Sequence, residues 1–314
     1  MTNPVLAFVF PGQGSQQIGM LADAAQAFPE VAATFSEASS VLGYDLWDLC
    51  QNGSQEEINQ TERTQPLLLT SSVALYRAWQ SQGGPVPAIM AGHSLGEWSA
   101  LVCSGVLAFE DGVRLVRERG RLMQEAVPAG EGAMAAVIGL EDQAVEAACT
   151  ESAQGAVVSA VNYNSPGQVV IAGSAAAVER AIEACKSAGA KRALPLPVSA
   201  PFHTELMRPA AEKLAPQIEA TVFNAPEIPV VHNVHAKSER DPAAIKALMV
   251  EQIYSPVRWT ACVQSMAASG IQQLVECGPG KVLAGLAKRI DRNLSALNIE
   301  KPEQLSEAAK TTAP

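Results

Sequence analysis

The 314-residue chain has six cysteines but no C-x-x-C pair. Cys50, Cys103, Cys149, Cys185, Cys262 and Cys277 are scattered, without the paired spacing of a zinc site or a disulfide framework. They read as small buried apolar residues in a reducing compartment. No run is long and apolar enough to span a bilayer. Met1 to Phe8 carries no basic lead, so no secretory signal is expected, and the expected location is cytoplasmic. Charged residues make up only 17% of the chain and their balance is −10, which argues against a nucleic-acid partner. Any anionic partner then needs a local basic patch, for which Lys191 with Arg192, or Lys281 with Lys288 and Arg289, are the candidates. No glycine-rich segment has the full spacing of a dinucleotide loop, and the lysine of a phosphate loop is missing after Gly12-Gln13-Gly14-Ser15. With 48% apolar residues, the chain has material for a large buried core.

The most informative stretch is Gly92-His93-Ser94-Leu95-Gly96. It fits the G-x-S-x-G nucleophile elbow. Pro87 to Ala91 before it reads as a buried strand, and Glu97 to Cys103 after it as a buried helix, so the strand–turn–helix context is present. The glycines let two backbones pass closely through the turn. The serine then stands at a helix N-terminus, where unpaired N–H groups favour developing negative charge. Val5 to Phe10 predicts another buried strand, ending in a turn that offers backbone N–H groups or Gln13 to a site at the strand's end.

Helical spacing is expected over Val31 to Val41, Thr64 to Trp79 and Asp111 to Ala126. In the last of these, Val113, Leu115, Val116, Leu122 and Met123 share one face, and Arg119 is the only charge at its centre. A buried guanidinium keeps its proton and requires a partner. Two readings meet that requirement: a structural ion pair with an Asp or Glu, or an anion-binding arginine in a pocket.

From Gly130 the predicted order is strand, helix, two strands, helix, strand, ending at Leu196. That βαββαβ order is the ferredoxin-like pattern. Beyond it, Val230 to Val234 is expected as a strand, and Gln272 to Glu276 as a late strand closed by Cys277-Gly278-Pro279-Gly280. The tail from Lys301 to Pro314 is expected to fray.

A serine nucleophile needs a base. Of four histidines, His93 adjoins Ser94 in a tight turn and points away from it. His232 and His235 are expected on opposite faces of an extended run, with no third ligand spaced to complete a metal site. His203 follows a proline-stiffened approach and opens a helix, which favours it as base over an exposed capping histidine. No acid stands in the usual Ser–acid–His order, which leaves room for a backbone carbonyl as the orienting group.

Phe10 to Gln16, Gly92 to Glu97, Arg119-Gly120, Asn162 to Gln168, Pro201-Phe202-His203 and Glu276 to Gly280 together resemble the malonyl-CoA:acyl-carrier-protein transacylase family of bacterial fatty acid synthesis, in family order, from about Val5 to Ile290. The resemblance implies an α/β-hydrolase-like core, residues 1–128 and 198–314, with an inserted ferredoxin-like subdomain, residues 129–197. It implies Ser94 as the acylated nucleophile and His203 as its base, oriented by the backbone carbonyl of Gln252. Backbone N–H groups of Gln13 and Leu95 would form the oxyanion hole, Arg119 would pair with the malonyl carboxylate, and Asn162 would line the pocket. Leu95 and Phe202 resemble the malonyl-selective form of the family. Malonyl-CoA and acyl carrier protein are the implied substrates, with no cofactor, metal, nucleic acid or membrane. A serine esterase or thioesterase shares the elbow and is the alternative, and an acyl-CoA or carrier-protein binding module is a third class. The lone arginine on an apolar face disfavours neutral ester substrates.

Overall fold

Residues 2–198 and 200–312 are described by a computed structural model. The chain is mixed α/β, with one parallel and one antiparallel sheet. The parallel sheet has the order β7-β2-β1-β8-β9, where β1 is Thr2–Phe10, β2 Val86–Gly92, β7 Val230–Val231, β8 Gln273–Glu276 and β9 Ser295–Asn298. Leu6 to Phe10 are wholly buried, so this run of β-favouring apolar residues becomes the central strand, covered on both faces. Because all neighbours run parallel, their C-terminal ends meet at one edge. The turns after β1, β2 and β7 carry Gln13, Ser94 and Asn233 to that edge, where open α/β sheets bind ligands.

The antiparallel sheet has the order β4-β5-β3-β6, where β3 is Gly132–Ile138, β4 Val158–Ser165, β5 Gln168–Ser174 and β6 Arg192–Pro195. Helices Asp142–Ala153 and Ala175–Ser187 cover one face with Val145, Cys149, Val178 and Ala181, forming a core of their own. Met134, Val170 and Ala172 point the other way and join the main core. This alternation along the strands is what ties the second sheet to the first body. A short ladder adds to it: Val257 N–H donates to Val161 O (2.8 Å) and Tyr163 N–H to Val257 O (3.0 Å).

Helix Phe109–Glu125 packs on helix Thr61–Ser81. Gly120 makes the approach possible, since a Cβ there would lie 2.4 Å from Thr61 O. This close crossing brings Arg119 beside Gln65.

Two expectations are corrected. The run Val230 to Val234 is a strand for only two residues. The chain then turns back, with Ala236 N–H donating to His232 O (2.9 Å) and Ala236 at φ 58°. His232 and His235 therefore do not lie on opposite faces; their rings meet edge to face, 5.9 Å apart. The tail does not fray over its described residues: Pro302–Thr311 is a helix with Pro at its start. Leu305 and Ala308 are buried in the core, and Asn3 Nδ2 donates to Thr312 O at 2.6 Å. Those two apolar side chains stand one helical turn apart in an otherwise polar stretch, and their burial against the main core gives the helix its stability.

Candidate active site

Ser94 stands between β2 and helix Leu95–Cys103, at φ 52° and ψ −107°. That backbone region is costly for a side-chain-bearing residue and persists only where the surroundings impose it. The flanking glycines show how tightly they do. A Cβ on Gly92 would sit 1.9 Å from the Gly96 backbone, and one on Gly96 would sit 2.0 Å from Phe10 O. Asn233 fastens the turn from behind, accepting from Ser94 N–H (2.9 Å) and donating from Nδ2 to Gly92 O (2.8 Å).

Ser94 Oγ lies 2.7 Å from His203 Nε2. His203 Nδ1 lies 2.9 Å from the backbone oxygen of Gln252. A carbonyl only accepts, so Nδ1 carries the proton and Nε2 is free to accept from the serine. Burial, and next the positive charge of Arg119, push His203 down to about 3, which keeps the ring neutral at neutral pH. The ring is 4% exposed, so it is no surface cap. His93 donates from Nε2 to Asn164 Oδ1 (2.8 Å) and makes no hydrogen bond to Ser94 Oγ.

Arg119 is 1% exposed, yet no carboxylate lies within salt-bridge distance among the described residues. Its guanidinium is held by neutral oxygens. Nη1 donates to Gln65 Oε1 (2.8 Å), and Nη2 to Gln252 Oε1 (2.9 Å) and Ser94 Oγ (3.3 Å). Nε is buried with no partner. Burial lowers Arg119 to about 10, opposed by the charge of Glu97, so it remains a cation at neutral pH. The structural ion pair is thus absent, and a buried cation faces an open cavity.

That cavity is about 380 Å³ and is lined by Ser94, His203, Arg119, Gln65, Gln13, Leu95, Asn162 and Phe202 among others. The backbone N–H groups of Gln13 and Leu95 make no hydrogen bond among the described residues, and both residues line the cavity, Leu95 directly after Ser94 in the chain. Asn162 lines the cavity, with its Oδ1 buried and without a partner. Phe202, 8% exposed, forms part of the wall next to His203. Ser94, His203, Arg119, Gln13, Leu95, Asn162 and Phe202 are gathered here; the Gln252 side chain and the candidate basic residues Lys191, Arg192, Lys281, Lys288 and Arg289 are not among the lining residues.

From the sequence, Gln65 and Asn233 have no part in the site, Glu97 enters only within the elbow motif, and His232 is weighed as a base or metal ligand and set aside. Glu97 is fully buried and accepts from His232 Nδ1 (2.7 Å), Gln252 Nε2 (2.8 Å) and Asn233 N–H (3.2 Å). The available signal was an acid three residues after the serine inside an apolar helix. Among the described residues no three His, Cys, Asp or Glu side chains gather as a metal site would, and no helix is long and apolar enough to cross a membrane.

A strained serine at a strand–helix turn, a neutral histidine 2.7 Å away and unpaired N–H groups beside it are the equipment of serine-based acyl transfer. In agreement, residues 7–303 match the acyl transferase domain family. The chain belongs to the malonyl CoA-acyl carrier protein transacylases within that family: it is 62% identical to the Escherichia coli K12 malonyl CoA-acyl carrier protein transacylase over 96% of this chain and 98% of that one. The Bacillus subtilis transacylase is 45% identical over 98% and 96%. Among solved structures, an acyl carrier protein S-malonyltransferase from Vibrio cholerae is 58% identical, covers 96% of this chain and 99% of that one, and superposes with a TM-score of 0.95. A malonyl-transacylase solved in complex with its type II PKS acyl carrier protein is 57% identical, covers 98% and 99%, and gives a TM-score of 0.97.

Proposed function

We propose that Ser94, His203 and Arg119 carry the transfer of a malonyl group from malonyl-CoA to acyl carrier protein, the reaction for which the relatives are named. The chain is an acyltransferase, and the transfer serves fatty acid synthesis. The observation that carries the residue roles is the 2.7 Å contact between Ser94 Oγ and a histidine held neutral by burial.

His203 Nε2 takes the Ser94 proton as Oγ attacks the thioester carbon. The oxyanion accepts from the N–H groups of Gln13 and Leu95, at about 3 kcal/mol per donor. Coenzyme A leaves as the thiol, taking the proton from His203. The phosphopantetheine thiol of the carrier protein then gives its proton to His203 and attacks the malonyl-serine ester; the ester bond to Ser94 Oγ breaks, and Oγ takes the proton back from His203. Arg119 receives the free carboxylate of the malonyl group, which supplies the anion its buried charge lacks. Asn162 lines the pocket, and Phe202 limits the space at the α-carbon.

The division into an α/β-hydrolase-like domain, residues 1–128 and 198–314, and a ferredoxin-like subdomain, residues 129–197, is supported by the elbow on a parallel sheet and by the β4-β5-β3-β6 order. The cavity is lined from both parts, since Met134, Asn162 and Leu196 line it together with Ser94 and Arg119. None of the basic residues Lys191, Arg192, Lys281, Lys288 and Arg289 lines the cavity itself. Lys191 with Arg192, or Lys281 with Lys288 and Arg289, are the candidate contacts for substrate phosphates. The expected location is the cytoplasm.

The test is discharge of the malonyl-enzyme. Transfer predicts rapid loss of the acyl group to phosphopantetheinylated carrier protein and slow loss to water. Release of free malonate at full rate without carrier protein would make the chain a thioesterase.

A further inference from the structure

Gln252 uses its backbone oxygen on His203, but its side chain does something separate. Nε2 donates to Ser94 O (2.9 Å) and to Glu97 Oε2 (2.8 Å). Both partners can only accept, so both amide hydrogens are committed and the amide has one orientation. Its oxygen is thereby aimed at Arg119 Nη2, 2.9 Å away. Rotated by half a turn, the amide would set its N–H groups against the guanidinium and its oxygen against a carboxylate.

Glu97 is what removes the choice. Its other oxygen is tied to His232 Nδ1 at 2.7 Å and its near oxygen also receives Asn233 N–H. The carboxylate is completely buried and does not line the cavity. A buried anion and a buried cation are thus bridged by one amide whose dipole is aligned with both, oxygen to Arg119 and N–H to Glu97. Each charge is costly to bury alone, and the amide lets them compensate one another without bringing the carboxylate to Arg119, where it would compete for the anion site.

We propose that Glu97 is a positioning residue for acid selectivity: acting through the Gln252 amide, it holds the Arg119 guanidinium in the orientation that reads the substrate's carboxylate. This rests on the assignment of Arg119 to the malonyl carboxylate. It separates two roles within Gln252, the backbone oxygen serving the base and the side chain serving the arginine.

The test compares malonyl- and acetyl-CoA acylation of the enzyme, followed by intact mass, in wild type, Arg119→Ala, Gln252→Met, Glu97→Leu and Glu97→Gln, with circular dichroism on each. Gln252→Met keeps the backbone oxygen and the packing volume. It should lower malonyl kcat/KM by about 10-fold or more, the scale of a lost hydrogen bond to a charged group, with a much smaller effect on acetyl. Glu97→Leu, which removes the acceptor, should do the same. Glu97→Gln keeps an oxygen for Gln252 while His232 moves its proton to Nε2, which has no partner, so it should recover most of the malonyl preference. In an Arg119→Ala background neither Gln252→Met nor Glu97→Leu should lower malonyl acylation further. Equal losses for both thioesters, or losses that add to that of Arg119→Ala, would overturn the proposal. Should Glu97→Leu not fold, Gln252→Met decides alone. If Arg119→Ala itself leaves the malonyl-to-acetyl ratio unchanged, the carboxylate assignment has failed rather than the bridge.

Discussion

Arg119 Nη2 lies 3.3 Å from Ser94 Oγ, so the group assigned to the substrate's acid also touches the nucleophile. The same guanidinium is, after burial, the largest influence pushing His203 down. Recognition and activation therefore share one charge.

Removing that charge should act on both. Arg119→Ala is expected to lower malonyl kcat/KM by the equivalent of about 2–5 kcal/mol, the cost of breaking a buried charge pair, and acetyl kcat/KM far less. Arg119→Lys should recover little, because an ammonium does not reproduce a two-pronged contact. His203 must be neutral to act as base, and its protonation is opposed by Arg119. In the wild type the acid limb of kcat/KM should lie well below the usual histidine range, and in Arg119→Ala it should move to higher pH. A folded Arg119→Ala enzyme with equal losses for both thioesters and an unmoved acid limb would contradict this.

His203→Ala should slow acylation by about 10²–10⁴-fold, the usual contribution of a general base. Its hydrogen-bond geometry predicts a specific contrast: His93→Ala, which loses the hydrogen bond to Asn164 and the ring contact with Trp259 but no bond to Ser94 Oγ, should retain the proton-transfer step. Stopped-flow acylation by malonyl-CoA separates the two, and a normal rate in folded His203→Ala refutes the assignment.

Phe202 walls the cavity beside the base and should crowd an α-methyl group. Malonyl should be preferred over methylmalonyl within the roughly 10–200-fold that one methyl allows. Phe202→Ala should narrow the ratio mainly by raising methylmalonyl kcat/KM. Equal kcat/KM for the two thioesters in the wild type would remove Phe202 from the site.

Glu276, fully buried at the end of β8, accepts from Ala284 N–H (2.8 Å) through one oxygen and has no partner on the other. Burial raises its carboxyl from 4.5 to about 7. Between those values the folded chain holds a proton that the unfolded chain has released, so stability contributed by this group is present below 4.5 and lost as pH rises through 7. A tenfold difference in proton affinity between the two states is worth about 1.4 kcal/mol. Glu276→Gln should therefore lose less melting temperature than wild type between pH 5 and pH 8, on the order of several degrees. Parallel pH curves would contradict this.

The elbow was legible because its context is local: strand, two small residues and helix are contiguous, and the glycines are demanded by contacts under 3 Å. Arg119 was legible because helical period isolates one charge on an apolar face. The βαββαβ order was legible for the same reason of period. Gln252 as a partner of His203 came only through family resemblance, since a backbone carbonyl leaves no trace in residue type. Glu97, Asn233 and His232 were out of reach because their meaning is pairwise over more than 130 positions. The His232 turn and the final helix are not legible in local pattern because tertiary contacts decide them: Asn233 is drawn back to Gly92, and Leu305 into the core.

The most direct measurement is peptide mass spectrometry of the enzyme quenched in acid after brief mixing with malonyl-CoA. A malonyl adduct on the peptide containing Ser94, absent in Ser94→Ala and discharged by phosphopantetheinylated carrier protein, is the predicted result. An adduct that persists in Ser94→Ala, or its absence from wild type that still transfers malonyl, would contradict transfer through Ser94.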